Sequence, residues 1–437
     1  MGLADEQSEE EGLMNLTDCP LVACHECDAV YKRHEIAEHA RADCTRCGYA
    51  LYQNTPNSLN ASLALYISAF VLMIIANVYP FLTMKTAGIF AENHVFSGGV
   101  ALYEFGMAEL GIVVFLTSIL FPFLAISGML FLLIPLKFSV LPPAHGIVYR
   151  IVRASEPWSL LSVFMLGTLI SVVKLKGLAT VSPGLGMFGF IGMLLIYSAA
   201  RLRFDPEVMW IHSSVKQLTS EQITPETKII ACHTCGLIRP FSENLHHCQR
   251  CGDSVHYRTK NSLERTGALL VSAALMLIPA NLLPVMTIKM LGKGQPDTII
   301  SGVLHLFEGG LWGLAMIVLI ASIIVPGLKL TAMCFLLYTV RNKSDWRPRD
   351  RTLLYRITEV VGAWSMVDVF LVGLLSGLVQ LGFLATIEPG PGVVFFGAAV
   401  ILTMLAAFSF DPRLIWDGAE RNLEKKNEIQ LSIRAVN

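Results

Sequence analysis

Charge is scarce in this sequence: Asp, Glu, Lys and Arg make up 15% of its 437 residues, against 54% hydrophobic residues and a mean hydropathy of +0.57. An ordinary soluble domain carries about a quarter of its residues charged, so the balance excludes that class and points to a polytopic membrane protein. Enzymatic signatures are missing too. There is no Gly-x-x-x-x-Gly-Lys-[Ser/Thr] loop to cradle a triphosphate, no Gly-x-Ser-x-Gly elbow and no His-Glu-x-x-His helix, so the reading is of a non-enzyme. Any motion must then be driven by a gradient, by a partner or by the downhill flow of a substrate. The segment 1–18 is acidic and polar with no apolar stretch, which excludes a secretory signal peptide. The first spanning helix is expected to serve as the insertion signal.

What is present in abundance is apolar sequence. Crossing a bilayer takes about 17–25 helical residues, and eight runs reach or approach that length, near 62–83, 110–135, 158–176, 184–201, 266–288, 311–339, 364–385 and 391–409. The link between the sixth and seventh runs carries Arg341, Lys343, Arg347, Arg349, Arg351 and Arg356, which marks it as cytoplasmic. Counting spans from that link puts both termini in the cytoplasm. The segments near 86–109 and 289–310 then face outward, and they carry few basic residues.

The second half of the chain restates the first. Asn77-Val78-Tyr79-Pro80 matches Asn281-Leu282-Leu283-Pro284 at an offset of 204, and Ser97-Gly98, Glu104, Ser118 and Pro122 keep that offset with Ser301-Gly302, Glu308, Ser322 and Pro326. At an offset of 206, Tyr149-Arg150 matches Tyr355-Arg356, Trp158-Ser159 matches Trp364-Ser365, and Phe204-Asp205-Pro206 matches Phe410-Asp411-Pro412. The expected architecture is an all-α membrane protein of eight helices in two parallel four-helix repeats, related by an axis along the membrane normal. The segments are an acidic tail (1–18), a first metal ribbon (19–57), repeat 1 (58–212), a second ribbon (213–260), repeat 2 (261–417) and a cytoplasmic tail (418–437).

Nine of the ten cysteines lie outside the spans, and eight of them form Cys-x-x-Cys knuckles: Cys24 and Cys27 with Cys44 and Cys47, then Cys232 and Cys235 with Cys248 and Cys251. Two knuckles at such separations supply four thiolates to one tetrahedral ion at about 2.3 Å. A reducing cytoplasm opposes disulfides, so two Zn2+ ions are expected, with iron the main rival. Four sulfurs leave no open position, which makes the ions structural. His25, His39, His233, His246 and His247 read as surface residues rather than substitute ligands. The first ribbon offsets Lys32, Arg33, Arg41 and Arg46 with Asp28, Glu35, Glu38 and Asp43, leaving no basic stripe for a nucleic acid.

The polar residues inside the spans are the most informative. A carboxylate in hydrocarbon costs roughly 2.5–3.5 kcal/mol on insertion scales, so Asp368 requires a partner. Ser365 precedes it on the same helical face; Ser322 and Lys329 share a face of the sixth span, and Thr403 sits mid-helix in the eighth. Lys329 is the natural partner for Asp368. The first repeat has Ala125 and Ser162 at those two places, so the pair is a property of repeat 2 alone. Pro122 and Pro326 are expected to kink their helices, and so are Asn77 with Pro80 and Asn281 with Pro284, the amide satisfying backbone groups freed by the proline.

These motifs carry a resemblance. Pro-Ala-Asn-Leu-Leu-Pro at 279–284, Val-Pro-Gly-Leu-Lys at 325–329, Trp-Ser-Met-Val-Asp-Val-Phe at 364–370 and Phe-Asp-Pro-Arg-Leu-x-Trp at 410–416, behind paired Cys-x-x-Cys ribbons, resemble the paraquat-inducible protein A family. The resemblance implies a multi-pass inner-membrane protein of Gram-negative bacteria. It implies work with a periplasmic mammalian-cell-entry (MCE) domain protein, whose hexameric rings form a tunnel, and the loading or unloading of phospholipid between membrane and tunnel. It places a central polar cluster on Ser322, Lys329, Ser365, Asp368 and Thr403. The alternatives are a redox or stress-response membrane protein using thiol or quinone chemistry, and a structural anchor for the tunnel.

Overall fold

The computed structural model describes residues 20–86, 89–175, 180–211, 213, 215, 217–218, 229–242, 246–290, 293–310, 312–378 and 385–419. The acidic segment 1–18 and most of the basic tail lie outside them. Repeat 1 comprises α1 (Ser58–Val78), α2 (Ser97–Glu104), α3 (Ala108–Phe115), α4 (Phe121–Lys137), α5 (His145–Ser155), α6 (Leu161–Leu175) and α7 (Leu185–Arg203). Repeat 2 repeats the plan as α8 (Ser262–Leu282), α9 (Ile299–Glu308), α10 (Trp312–Leu319), α11 (Val325–Arg341), α12 (Pro348–Gly362), α13 (Val367–Leu378) and α14 (Pro391–Ser409). Among the described residues, eight helices or helix runs are long and apolar enough to span a bilayer: Ser58–Val78, Ala108–Lys137, His145–Val173, Leu185–Arg203, Ser262–Leu282, Ala315–Arg341, Pro348–Gly377 and Pro391–Ser409.

The third and seventh spans begin well before their apolar runs, because the amphipathic helices α5 and α12 lead into them through the short 3-10 turns Glu156–Trp158 and Ala363–Met366. The first and fifth spans stop earlier than expected. Asn77 Nδ2 donates to the Met73 carbonyl at 2.8 Å and Asn281 Nδ2 to Leu277 at 2.9 Å, one turn back, and the helices end at Val78 and Leu282. Pro80 and Pro284 therefore terminate helices instead of kinking them, since a proline cannot extend the backbone ladder. At Pro122 and Pro326 the helix does continue, through π-turns at Leu116–Leu120 and Ile320–Ile324 in which the Phe121 and Val325 amides reach back five residues.

An all-α description needs one addition. Beyond each Asn-x-x-Pro stop the chain turns into a three-stranded antiparallel sheet. The strands fall into the order β6-β5-β7 and β11-β10-β12 after the two ribbons supply β1–β4 (Leu21–Ala23, Val30–Lys32, Arg41–Asp43, Ala50–Gln53) and β8–β9 (Ile229–Ala231, Ile238–Pro240). Here β5–β7 are Leu82–Thr86, Ile89–Asn93 and Thr180–Pro183, and β10–β12 are Met286–Met290, Lys293–Asp297 and Ala385–Pro389. In the second sheet Thr287 stands opposite both Pro296 and Glu388, and Lys289 reaches Glu388 at 2.6 Å. These sheets satisfy backbone groups at the bundle end opposite the ribbons. At the ribbon end, Ser58 Oγ donates to Arg203 O and accepts from Asp205 N, both at 2.9 Å, while Ser262 Oγ treats Ser409 and Asp411 in the same way at 2.7 and 2.9 Å. The repeated Phe-Asp-Pro turn is thus the lock that closes each repeat on its own first helix.

The repeats meet where α6 packs on α13. Phe164 and Phe370 stack edge to face at 5.5 Å, and a Cβ on Gly167 would sit 3.1 Å from that of Phe370. Symmetry is broken at the flanks. Helix α2 lies against α13 so closely that a Cβ on Gly98 would be 3.1 Å from the Gly373 carbonyl carbon, whereas its counterpart Gly302 on α9 has nothing within 4 Å among the described residues. The ribbons, in turn, cross over. The first buries its cysteines with Met333, Leu336, Tyr355 and Trp416 of repeat 2, and the second buries its own with Tyr149, Val152 and Trp210 of repeat 1.

This packing sets an expectation for the two glycines. Gly98→Leu must force α2 off α13, at a cost of about 1–3 kcal/mol for overpacking, while Gly302→Leu meets open space. Thermal unfolding in detergent should show a lowered midpoint for the first variant and none for the second.

Candidate functional site

Each ribbon is built from two tight knuckles. The residue after the second cysteine takes a left-handed backbone in all four, Gly48, Gly236 and Gly252 with φ of 74°, 72° and 73°, and Asp28 with φ of 57°. Glycine enters that region at no steric cost and aspartate at a small one. Asp28 repays the strain through its carboxylate, which pairs with Arg258 and lies 3.6 Å from Arg413 Nη1. The eight cysteines are buried. Their sulfurs approach as Cys24–Cys47 at 3.4 Å, Cys27–Cys44 at 3.5 Å, Cys232–Cys251 at 3.6 Å and Cys235–Cys248 at 3.5 Å. All four in each set lie within 4.8 Å of one another. A tetrahedron with 2.3 Å metal–sulfur bonds has an edge of about 3.8 Å, so both sets fit a four-coordinate ion.

Electrostatics favours a cation there. Hydrogen bonds from Cys24 and Cys27 hold the Cys47 thiol down to about 2, whereas its hydrogen bonds to Cys24 and Cys47 push Cys27 far above the usual thiol range. One proton-depleted sulfur beside proton-holding neighbours is a tetrad ready to trade protons for a metal ion. His25 and His233 face each other across the ribbon boundary at 5.8 Å between ring centroids. Burial pushes His25 down to about 4, which keeps it neutral.

The second candidate is the polar cluster of repeat 2. Ser322, Lys329, Ser365, Asp368 and Thr403 are all at least 95% buried. Their carriers pack on one another: the π-turn Ile320–Ile324 against α13 and the turn Ala363–Met366, and that turn against α14. Ser322 Oγ donates to Val318 O at 2.6 Å and Thr403 Oγ1 to Val400 O at 2.8 Å, so both hydroxyls are bonded within their own helices. Ser365 Oγ finds no partner among the described residues.

Lys329 corrects the sequence expectation. Among the described residues no ion pair within 4.0 Å joins it to Asp368. Its ammonium lies instead against Gly362, where an added methyl would collide with Nζ, and the charge it faces is Glu359. Glu359 and Asp368 are nine residues apart, about two and a half helical turns, so the two carboxylates point to different sides of the span. Glu359 escaped the sequence reading because it falls in the basic link rather than in the apolar run. A signal was available at the 206 offset, which pairs Glu359 with Arg153 and Gly362 with Glu156. In repeat 1 Glu156 is held by Arg153 at 3.1 Å and Arg201 at 3.6 Å, and repeat 2 replaces that trio with Gly362, Glu359 and Ala407.

Metal analysis of the purified chain should find two tightly bound ions. Cys24→Ser with Cys27→Ser should leave one, and acidification should release both, because protons compete for the thiolates.

Comparison with known proteins agrees with this anatomy. A family model described as paraquat-inducible protein A matches residues 59–214 and 263–420, one copy on each repeat. The chain is 29% identical over 401 residues to the intermembrane transport protein PqiA of Escherichia coli (strain K12), covering 91% of this chain and 95% of that protein. It is 29% identical over 397 residues to the lipophilic envelope-spanning tunnel protein A of the same strain, covering 91% of each. A probable intermembrane transport protein of Haemophilus influenzae is 28% identical over 405 residues, covering 91% of this chain and 95% of the relative. No solved structure matches the chain significantly. With both repeats matched end to end, this chain belongs to the paraquat-inducible protein A family.

Proposed function

We propose that this chain is the integral inner-membrane subunit of an intermembrane lipid transport system. It passes phospholipid between the inner membrane and a tunnel of periplasmic MCE-domain protein. Both termini and both ribbons lie in the cytoplasm, each ribbon holding a structural Zn2+ ion, and the two small sheets face the periplasm. Relatives named for intermembrane transport and for an envelope-spanning tunnel support the class of activity.

The observation that carries the reading is the one-sided polar cluster. Lys329 and Asp368 are 4% and 5% exposed inside a bundle otherwise made for hydrocarbon, and repeat 1 dispenses with both. Charges needed only to hold the frame together would be expected in both copies, since a buried charge is a net cost unless it serves specificity or function. Ser365 Oγ adds a buried hydroxyl with no protein partner among the described residues, available to a water or a polar headgroup. Lys329 with Glu359, and Asp368 nine residues further along the same span as Glu359, form a stepped set of charges on which a headgroup or a proton can be held as the pocket alternates between wet and dry.

Asp368→Asn and Lys329→Ala should each lower lipid-transport complementation by about tenfold or more in cells lacking redundant systems, the effect of losing roughly 1.4 kcal/mol. Membrane yield and zinc content should stay unchanged, and Ser162→Ala, an exposed position in repeat 1, should transport normally. Full complementation by both charge variants would leave only an anchoring role.

A further inference from the structure

The crossed ribbons make a contact that the duplicated plan does not require. Within each ribbon an arginine of its own, Arg46 or Arg250, donates to a knuckle carbonyl, that of Cys27 at 3.3 Å or of Cys235. These two arginines are repeat counterparts at the 204 offset. The second pair of counterparts, Arg150 and Arg356, comes from the membrane helices α5 and α12 and reaches the ribbon of the other half. Arg150 Nη1 stops at the Gly252 carbonyl, 3.2 Å away. Arg356 Nη2 instead reaches the Cys47 sulfur at 3.2 Å, with the Cys47 carbonyl at 3.4 Å. Its guanidinium is seated over the Tyr49 ring at 5.1 Å and 3.9 Å from the buried Glu26 carboxylate.

A tetrathiolate site loaded with a divalent ion carries about two net negative charges, and in a buried site these require compensation by hydrogen-bond donors and cations. Ribbon 1 draws that compensation at sulfur from a helix of the membrane domain; ribbon 2 draws none of it from α5. The same helix face continues inward. Glu359 lies three residues after Arg356, hence on one side of α12, and it is the charge facing Lys329. Further contacts fix ribbon 1 to the closing turn of repeat 2: Arg46 stacks on Trp416 at 4.5 Å, and Asp28 meets Arg258 and Arg413.

We propose that Arg356 is a positioning residue acting in trans on the metal-bound Cys47 thiolate, so that ion occupancy of ribbon 1, and not of ribbon 2, sets the placement of α12 beside the polar cluster. With the ion present, the charged tetrad holds Arg356 and with it the cytoplasmic half of α12. Without the ion, nothing holds the four sulfurs together, the Cys47 sulfur and carbonyl are no longer fixed for Arg356 and α12 is released from the ribbon.

Two measurements test this, and neither depends on lipid movement, so the proposal stands or falls apart from the transport reading. In the full-length protein, release of zinc to a metallochromic chelator should be about tenfold faster for one of two ions in Arg356→Gln, and unchanged for both ions in Arg150→Gln. Equal rates in wild type and Arg356→Gln, or equal acceleration of both ions, would overturn the assignment. Hydrogen exchange of the peptide spanning 348–362 should rise on loss of the ribbon 1 ion in Cys24→Ser with Cys27→Ser, but not in Cys232→Ser with Cys235→Ser. Should the first of these fail to fold, Cys232→Ser with Cys235→Ser, which keeps only the ribbon 1 site, gives the same comparison before and after chelator stripping. Protection of α12 that is indifferent to the metal would refute the coupling.

Discussion

The contact on which the structure depends is the packing of α6 against α13 where the two repeats meet. A bilayer offers no water and no hydrogen-bond partners, so any polar side chain at membrane depth must be surrounded by protein. The Phe164–Phe370 stack and the close approach at Gly167 bring the two inner helices together. With α2 and α14 added, the seventh span becomes the most enclosed of the eight among the described residues, about three-quarters of its apolar stretch being buried. Asp368 and Ser365 are tolerable because they lie on that helix and on no other.

Duplication supplied two equal frames, and the differences between them mark where the protein is specialised. Repeat 1 settles its membrane-edge charges locally, Arg153 and Arg201 on Glu156. Repeat 2 removes that trio and installs Lys329 on the neighbouring helix, against the glycine that replaces the glutamate. On the opposite flank α2 is clamped to α13, while Gly302 of α9 meets nothing within 4 Å among the described residues. The crossed ribbons tie these unequal halves together, since the first four-cysteine module leads into repeat 1 and is buried against repeat 2, while the second leads into repeat 2 and is buried against repeat 1.

Much of this was legible in the sequence. The eight apolar runs, the repeat offsets of 204 and 206 and the spacing of the eight cysteines determine the number of spans, the parallel duplication and the metal tetrads, because each is a local or periodic property that needs no knowledge of neighbours. The buried polar residues of repeat 2 were also found this way, through the cost of placing charge in hydrocarbon. The short outer sheets were not, since strands of four or five residues pairing across nearly a hundred positions leave little local pattern.

What only the tertiary structure decided is who meets whom. The sequence paired Lys329 with Asp368 on charge alone; the packing of α11 on α12 sets Lys329 against Gly362, with Glu359 on the same helix. It read Asn77-x-x-Pro80 and Asn281-x-x-Pro284 as kinks, where the sheets that follow convert them to stops. It gave each ribbon to the repeat that follows it, yet Arg356 and Cys47, 309 residues apart, lie in hydrogen-bond contact. Composition and spacing fix which groups must be satisfied, and the pairing of helices or a crossed connection, set by packing over long range, determines which partner satisfies them.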